Sequence, residues 1–144
     1  MSALHSRIVY LTRKVEFSAA HRLHQPELSD EENRELYGKC AYTHGHGHNY
    51  VLEATFKGTV EPKTHMVVNY NALKRLLDEV VLDPFDHRNL NHEPPFNHGI
   101  LPTLENIVIH FWDRISGTIQ GQEWSLHRLR LASSGQNWVE YQGE

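Results

Sequence analysis

Residues 38–50, with the sequence GKCAYTHGHGHNY, contain the only cysteine of the chain and two histidines separated by a single glycine. In a β-strand, residues i and i+2 point to the same face, so His46 and His48 can direct both imidazole rings at one metal ion. Neutral imidazole is the commonest side-chain ligand for metals, and Gly45 and Gly47 leave the backbone uncrowded around the rings. The segment predicts a metal site on a strand, with a thiol beside it.

His21 is the best candidate for a third ligand, because it lies just past a predicted strand over residues 8–19. Three imidazoles that leave the fourth position open for water or substrate are typical of catalytic zinc. His44 competes for a place, since it also lies at even spacing from His46 and His48. The chain has twelve histidines, and a lone histidine is more often a surface or satisfied core residue than a ligand. We predict a Zn²⁺ ion on His21, His46 and His48.

Cys40 has two interpretations from the sequence alone. Most free cysteines behave as small buried hydrophobic residues. Beside a bound cation, however, the thiolate form is favoured, and a thiolate can act as a nucleophile or a base.

Length and composition limit the class of protein. A chain of 144 residues can bury its own core, and we expect one domain over residues 1–144. One cysteine excludes an internal disulfide and suits a reducing, cytoplasmic location. No apolar run reaches membrane-spanning length, and residues 1–7 lack the apolar core of a signal peptide. A formal charge of −4 with mixed signs gives no basic face for nucleic acid.

Hydrophobic periodicity predicts four strands, two main helices and a short helix. Alternating apolar residues indicate strands at 8–19, 49–60, 125–132 and 137–141. An amphipathic stripe predicts a helix over 70–82 that ends at Pro84, and Thr103 is expected to cap a second helix. A short helix is expected inside the long segment 25–36. The order β-β-α-α-β-β predicts an α+β fold, with both helices on one face of a four-stranded antiparallel sheet.

Five motifs spread along the chain are similar to those of the 6-pyruvoyl tetrahydropterin synthase and 6-carboxytetrahydropterin synthase family. They are FSAAHRL at 17–23, GKC at 38–40, GHGHNY at 45–50, DHRNL at 86–90 and TLEN at 103–106. The resemblance implies the tunnelling fold, in which trimers form around a β-barrel and two trimers make a homo-hexamer. It also implies zinc on His21, His46 and His48. Since no apolar run reaches membrane-spanning length, we expect no membrane partner.

The resemblance further implies a lyase that acts on a small pterin, 7,8-dihydroneopterin triphosphate. Cys40 then acts as the general base, with Asp86 and His87 tuning and shuttling the proton, while Thr103 and Glu105 bind substrate. The cysteine and the Asp-His pair match residues that neighbouring subunits contribute in the family. From the residues alone, a solvated turn is the favoured interpretation of Asp86 and His87. Glu105 is equally compatible with a first-turn acid that stabilises the helix dipole.

Three positions depart from the family pattern. Ser133 stands where the family has a glutamate that grips the pterin, and the loss of such a charge-assisted contact costs about 1.5–3 kcal/mol. His65 replaces a usual glycine, which predicts strain if the position needs a positive φ. Leu104 replaces a common hydroxyl residue.

Two alternatives to a pyruvoyl-forming enzyme stay open at this point. One is 6-carboxytetrahydropterin synthase of deazapurine biosynthesis, which uses the same substrate and a similar Cys-Asp-His set. The long segment 25–36 and the doubled His-Gly-His motif favour the pyruvoyl enzyme. The other is a zinc-binding family member that has lost its pterin anchor and its activity.

Overall fold

A five-stranded sheet organises residues 3–144, the part of the chain that the computed structural model describes. Met1 and Ser2 lie outside the described residues. They belong to residues 1–7, where no signal peptide is expected. The strands stand in the order β3-β1-β2-β4-β5. Their bounds are β1 Ile8–His21, β2 His46–Thr59, β3 Arg88–Asn89, β4 Ser125–Ala132 and β5 Trp138–Tyr141.

The four predicted strands are all present, and neighbouring members of this set pair antiparallel. The prediction of a four-stranded, purely antiparallel sheet is wrong, because the two-residue β3 adds a parallel edge against Ala19 and Ala20 of β1. β1 runs on to His21, and β2 begins at His46 rather than Asn49. These extensions form because His21 and His46 are direct partners in the ladder.

Within residues 3–144, four α-helices accompany the sheet, namely α1 Asp30–Tyr37, α2 Tyr70–Leu77, α3 Asp83–Phe85 and α4 Leu104–Thr118. Polar caps explain where the longer helices begin. Thr103 Oγ1 accepts a hydrogen bond from Asn106 N at 3.2 Å, as predicted, and Ser29 and Asn69 cap α1 and α2 in the same way. None of the helices within residues 3–144 combines the length and apolar character needed to cross a bilayer.

The prediction that Pro84 ends the first long helix is wrong. After α2 the chain widens into a π-turn, Asp78–Leu82, in which the N–H of Asp83 reaches the carbonyl of Asp78. In a regular α-helix a proline ring collides with the carbonyl four residues earlier. The wider turn changes that spacing, and Pro84 then lies in the first turn of α3, where its missing N–H needs no partner.

The helices cover one face of the sheet. Along β1, Val15, Phe17 and Ala19 are buried, and across β2 they pair with Leu52, Tyr50 and His48. The core continues into Leu73 and Leu77 of α2 and into Ile107, Phe111 and Ile115 of α4. Because side chains alternate along a strand, His21 also points to this covered side, at the end of the sheet.

Asn33 fixes the segment that carries the chain from β1 to Cys40. Its side chain is 1% exposed. Its amide oxygen accepts from Gln25 N at 2.7 Å, and its amide nitrogen donates to the carbonyls of Gln25 and Ser29 at 3.0 Å each. A further bond of 2.7 Å from Leu23 N to the Cys40 carbonyl joins the two ends of this segment. Cys40 is thereby placed beside the end of β1.

Candidate metal centre and active site

Three histidines and the single thiol meet where β1 and β2 end. His21 Nε2 and His48 Nε2 are 3.1 Å apart. The ligand atoms of His21, Cys40, His46 and His48 all lie within 4.8 Å of one another. Two nitrogens bound to one tetrahedral zinc are about 3.3 Å apart, so the arrangement fits a metal. His44, the competing candidate, is exposed and lies outside this group.

His21 is held in the protonation state that a ligand needs. Its Nδ1–H donates to the Pro102 carbonyl at 3.0 Å, which leaves the Nε2 lone pair directed at the cluster. Burial, followed by the neighbouring His48 and His46, lowers the pKa of His21 to about 4. Burial also lowers the pKa of His48. Both rings are therefore neutral at physiological pH, the form in which imidazole binds metal.

Tyr50 is a part of the site that sequence reasoning missed. Its ring is fully buried, and its hydroxyl lies 3.4 Å from His21 Nδ1. Burial raises the pKa of Tyr50, so it is a neutral phenol. The sequence signal that could have identified Tyr50 is its position two residues after His48, on the same face of the strand.

Glycine is required at one of the two positions between the histidines. Gly45 has φ of +71°, and a Cβ there would lie 2.6 Å from the His21 carbonyl oxygen. At Gly47 a Cβ would meet nothing closer than 3.8 Å, which is an ordinary contact. Close approach of the two strands therefore explains Gly45 alone.

Cys40 belongs to the cluster of its own chain. Its Sγ lies 3.1 Å from His46 Nε2, which corrects the expectation that a neighbouring subunit supplies the cysteine. Burial raises the pKa of the Cys40 thiol. A cation among the three imidazoles acts in the opposite direction, since an adjacent positive charge favours a thiolate.

Asp86 and His87 form a pair at the edge of the sheet, outside the four-residue cluster. Asp86 Oδ1 accepts from the Ser18 N–H at 2.9 Å, and this bond lowers the pKa of Asp86. Its other oxygen lies 3.0 Å from His87 Nδ1, and the His87 side chain is 82% exposed. His87 also has φ of +62°, a strained conformation for a residue with a side chain. Asp86 and His87 are thus in contact with each other and lie outside the cluster that contains the thiol.

The predicted pterin-binding residues lie near the same end of the sheet. The carbonyl of Pro102 binds His21, and Thr103 and Glu105 follow it at the start of α4. Thr103 uses its hydroxyl to cap the helix, whereas Glu105 is exposed. Ser133 is partly buried, directly after β4.

The other two departures from the family pattern, His65 and Leu104, differ in their structural consequences. His65 has φ of +60°, so the predicted strain is present there. Leu104 packs against the hydrophobic core, which accounts for an apolar side chain at that position.

Asn91 is a second residue that the sequence did not reveal. Its side chain accepts from Arg22 N at 2.6 Å and donates to Arg22 O at 2.9 Å. It therefore pairs with the backbone directly after His21 as a further strand would. A lone asparagine in an irregular segment gives no sequence signal for this role.

Comparison with known proteins assigns this geometry to a family. The family model described as 6-pyruvoyl tetrahydropterin synthase matches residues 10–144. The chain is 43% identical over 139 residues to 6-pyruvoyl tetrahydrobiopterin synthase of Poecilia reticulata, covering 96% of this chain and 92% of the relative. The structure of 6-pyruvoyl tetrahydropterin synthase from Caenorhabditis elegans superposes with a TM-score of 0.86 at 37% identity, over 96% of this chain and 97% of the other.

Similarity to the sister enzyme is weaker. The chain is 28% identical over 151 aligned positions to 6-carboxy-5,6,7,8-tetrahydropterin synthase of Rickettsia bellii, covering 92% of this chain and 99% of that protein. The difference in identity favours the pyruvoyl-forming relatives.

Proposed function

The chain belongs to the 6-pyruvoyl tetrahydropterin synthase family, and we propose that it converts 7,8-dihydroneopterin triphosphate to 6-pyruvoyl tetrahydropterin. The enzyme is then a carbon-oxygen lyase that releases triphosphate in the cytoplasm. The observation that carries the proposal is the thiol of Cys40, which lies 3.1 Å from His46 Nε2 in a cluster with the imidazoles of His21, His46 and His48.

The proposed reaction balances without an external oxidant. Removal of the C1′ proton lets an electron pair reduce the N5=C6 bond of the pterin while C1′ becomes a ketone. Removal of the C2′ proton expels triphosphate from C3′ and leaves an enol, which becomes the second ketone and a methyl group. The protein therefore needs a base close to both carbons and a way to return protons.

His21, His46 and His48 would hold the zinc ion. When bound, zinc supplies Lewis-acid polarisation of the side-chain oxygens of the substrate, so that the neighbouring C–H protons become removable at neutral pH. The set of three imidazoles suits zinc, which accepts nitrogen and sulfur ligands in tetrahedral geometry. His21 is the most firmly placed of the three, because Pro102 fixes its ring orientation.

Cys40 is the proposed base, and Asp86 and His87 are the proposed proton carriers. A base must lie within hydrogen-bond reach of the proton it removes, and a substrate bound at the cluster presents its side chain to the Cys40 thiol. Asp86 orients His87 by accepting from Nδ1, which leaves Nε2 facing outward. Such an exposed imidazole can exchange protons with a site on another subunit.

We propose that the protein is a homo-hexamer formed by two trimers, with active sites between subunits. Two observations support this assembly. The first half of β1 has no neighbour on its outer edge within the described residues, and its Ile8, Val9 and Tyr10 are exposed. An apolar, unpaired strand edge is a site for pairing with another chain. The pair Asp86 and His87 also lies outside the cluster that contains the thiol of its own chain.

Mixing two inactive variants tests the shared site. Oligomers that combine Cys40→Ala with His87→Ala chains are expected to recover about a quarter of native turnover, because random assembly unites one intact thiol with one intact pair at that frequency. The measurement is turnover after co-expression, with each variant alone as the control. If mixed oligomers are as inactive as the single variants, both groups act within one chain.

Ser133, at the position where the family has a pterin-binding glutamate, predicts weak pterin binding in the native protein. Ser133→Glu is expected to tighten binding of a dihydropterin about tenfold or more, because a carboxylate accepts two pterin N–H groups where serine cannot. Glu105→Gln is expected to abolish most of the remaining affinity. Calorimetric titration measures both, with Ser134→Glu as the neighbouring control. Tight native binding that Ser133→Glu weakens would refute this mode of anchoring and with it the substrate assignment.

Mass spectrometry of the product tests the function itself. With 7,8-dihydroneopterin triphosphate and zinc-loaded protein, we expect 6-pyruvoyl tetrahydropterin together with triphosphate. The sister activity would instead yield the 6-carboxy product, and unchanged substrate would identify a binding protein. The last outcome has one observation in its favour, the serine at position 133.

A further inference from the structure

A cleft with no role in the proposed chemistry opens beside the metal centre. Its volume is about 440 Å³, within the ~300–1,000 Å³ typical of ligand sites. We call it the arginine cleft. It lies between the end of β1, helix α1 and the turn that precedes β2, and its polar lining includes Arg22, His24, Asp30, Arg34, Thr43 and His44.

The two guanidinium groups of the cleft have no carboxylate partners. Among the ion pairs of residues 3–144, none includes Arg22 or Arg34. Arg22 is half-buried, and its Nε donates to the Ala41 carbonyl at 3.3 Å. Asp30, the acid of the lining, is 87% exposed and lies 4.0 Å from His24 rather than against either arginine. The cleft therefore presents two guanidinium groups that no carboxylate contacts within 4.0 Å.

The lining of the cleft adjoins the residues of the candidate metal centre along the chain. Ala41 directly follows Cys40, Gly45 directly precedes His46, and both line the cleft. Arg22 follows His21, and Asn91 fixes the backbone at that point through two hydrogen bonds. Three residues of the lining are thus covalent neighbours of residues of the metal cluster, and the cleft lies beside that cluster at the end of the sheet.

We propose that the arginine cleft binds a linear oligophosphate, namely the triphosphate chain of the substrate, in an assignment that rests on the proposed function. Guanidinium groups bind phosphate oxygens through paired N–H donors. The Thr43 hydroxyl adds a neutral donor at the rim.

Binding of magnesium tripolyphosphate to the zinc-loaded protein tests the proposal. Arg34→Gln is expected to raise the dissociation constant about tenfold, because one charged contact is lost. Asp30→Asn is expected to lower the dissociation constant. Arg75→Gln is the matched control, since Arg75 is likewise an exposed helical arginine, on α2 and away from the cleft. Protein-bound zinc is measured after each titration to exclude chelation. Equal affinity in native protein, Arg34→Gln and Arg75→Gln would overturn the proposal.

Enzyme kinetics separates the substrate's triphosphate from a free oligophosphate. Tripolyphosphate is expected to compete with 7,8-dihydroneopterin triphosphate, and Arg34→Gln to raise both its inhibition constant and the KM about tenfold. Inhibition that is not competitive would assign the cleft to a free oligophosphate and overturn the substrate assignment. Absence of turnover with any pterin would refute the proposed function, whereas Arg34-dependent binding of tripolyphosphate would still establish the cleft as an oligophosphate site.

Discussion

Replacement of His46 by alanine is expected to leave the purified protein with little metal and no measurable turnover. Structural zinc binds proteins with roughly 10–16 kcal/mol shared among four ligands, so each ligand accounts for about 3 kcal/mol, or about 100-fold in affinity. In this protein, His46→Ala removes one of four ligand atoms that lie within 4.8 Å of one another, so we expect the loss of zinc affinity at this one site. Zinc content by elemental analysis is the primary measurement.

The control for this loss is His44→Ala. His44 is a histidine of the same segment, but it is exposed and lies outside the cluster, so its removal is expected to leave zinc stoichiometric. Thermal unfolding gives a second readout, because a metal that binds only the folded state raises the melting temperature. Added zinc should raise the melting temperature of the native protein but not that of His46→Ala. Stoichiometric zinc in His46→Ala would disprove the ligand assignment, and loss of zinc only in the double variant would transfer it to His44.

The sequence was sufficient to predict the main sheet because β1 and β2 alternate cleanly. Phe17 and Tyr50 pack as stacked rings 4.8 Å apart, and each occupies the phase that its strand pattern predicts. The same alternation, continued by four residues along each strand, brings His21 opposite His46. The convergence of His21, His46 and His48 on one candidate metal site could therefore be predicted from periodicity and spacing, with the family resemblance supplying its chemistry.

Features that depend on tertiary contacts could not be predicted in this way. Strand β3 has two residues, and it forms because Arg88 and Asn89 lie alongside Ala19 and Ala20, without any periodic pattern of its own. The π-turn at Asp78–Leu82 keeps an ordinary helical hydrophobic pattern while changing the hydrogen bonds. The arginine cleft is lined by residues from three separate segments, so no local sequence motif predicts it.

The position of Cys40 shows the limit of inference from resemblance. The segment that carries it is held by Asn33 and by the bond from Leu23 N to the Cys40 carbonyl, and neither contact is visible in the GKC motif. These contacts place the thiol with its own chain's histidines, whereas the pair Asp86 and His87 lies outside the cluster. A site shared between subunits thus remains our proposal, with the histidine cluster and the thiol supplied by one chain and the pair Asp86 and His87 by another.

Replacement of Cys40 by alanine is expected to lower turnover by at least about 100-fold, the usual contribution of a positioned base, while zinc stays bound. Two roles fit a thiol 3.1 Å from His46 Nε2. As a base, Cys40 leaves the fourth zinc position open for substrate, which is the arrangement of catalytic sites. As a fourth ligand, it closes the site. Zinc content and turnover of Cys40→Ala, measured together, distinguish the two roles.

Lys39→Ala is the matched control, because Lys39 is exposed on the same turn, Gly38–Ala41, and its loss disturbs that turn without removing the thiol. It should retain both zinc and turnover. Cys40→Ala should in addition bind 7,8-dihydroneopterin as the native protein does, since a base acts on the reaction rather than on binding of the ring. Loss of zinc to the degree seen in His46→Ala would make Cys40 a ligand and require a different base. Unchanged turnover would reduce Cys40 to a small apolar residue that packs beside the cluster.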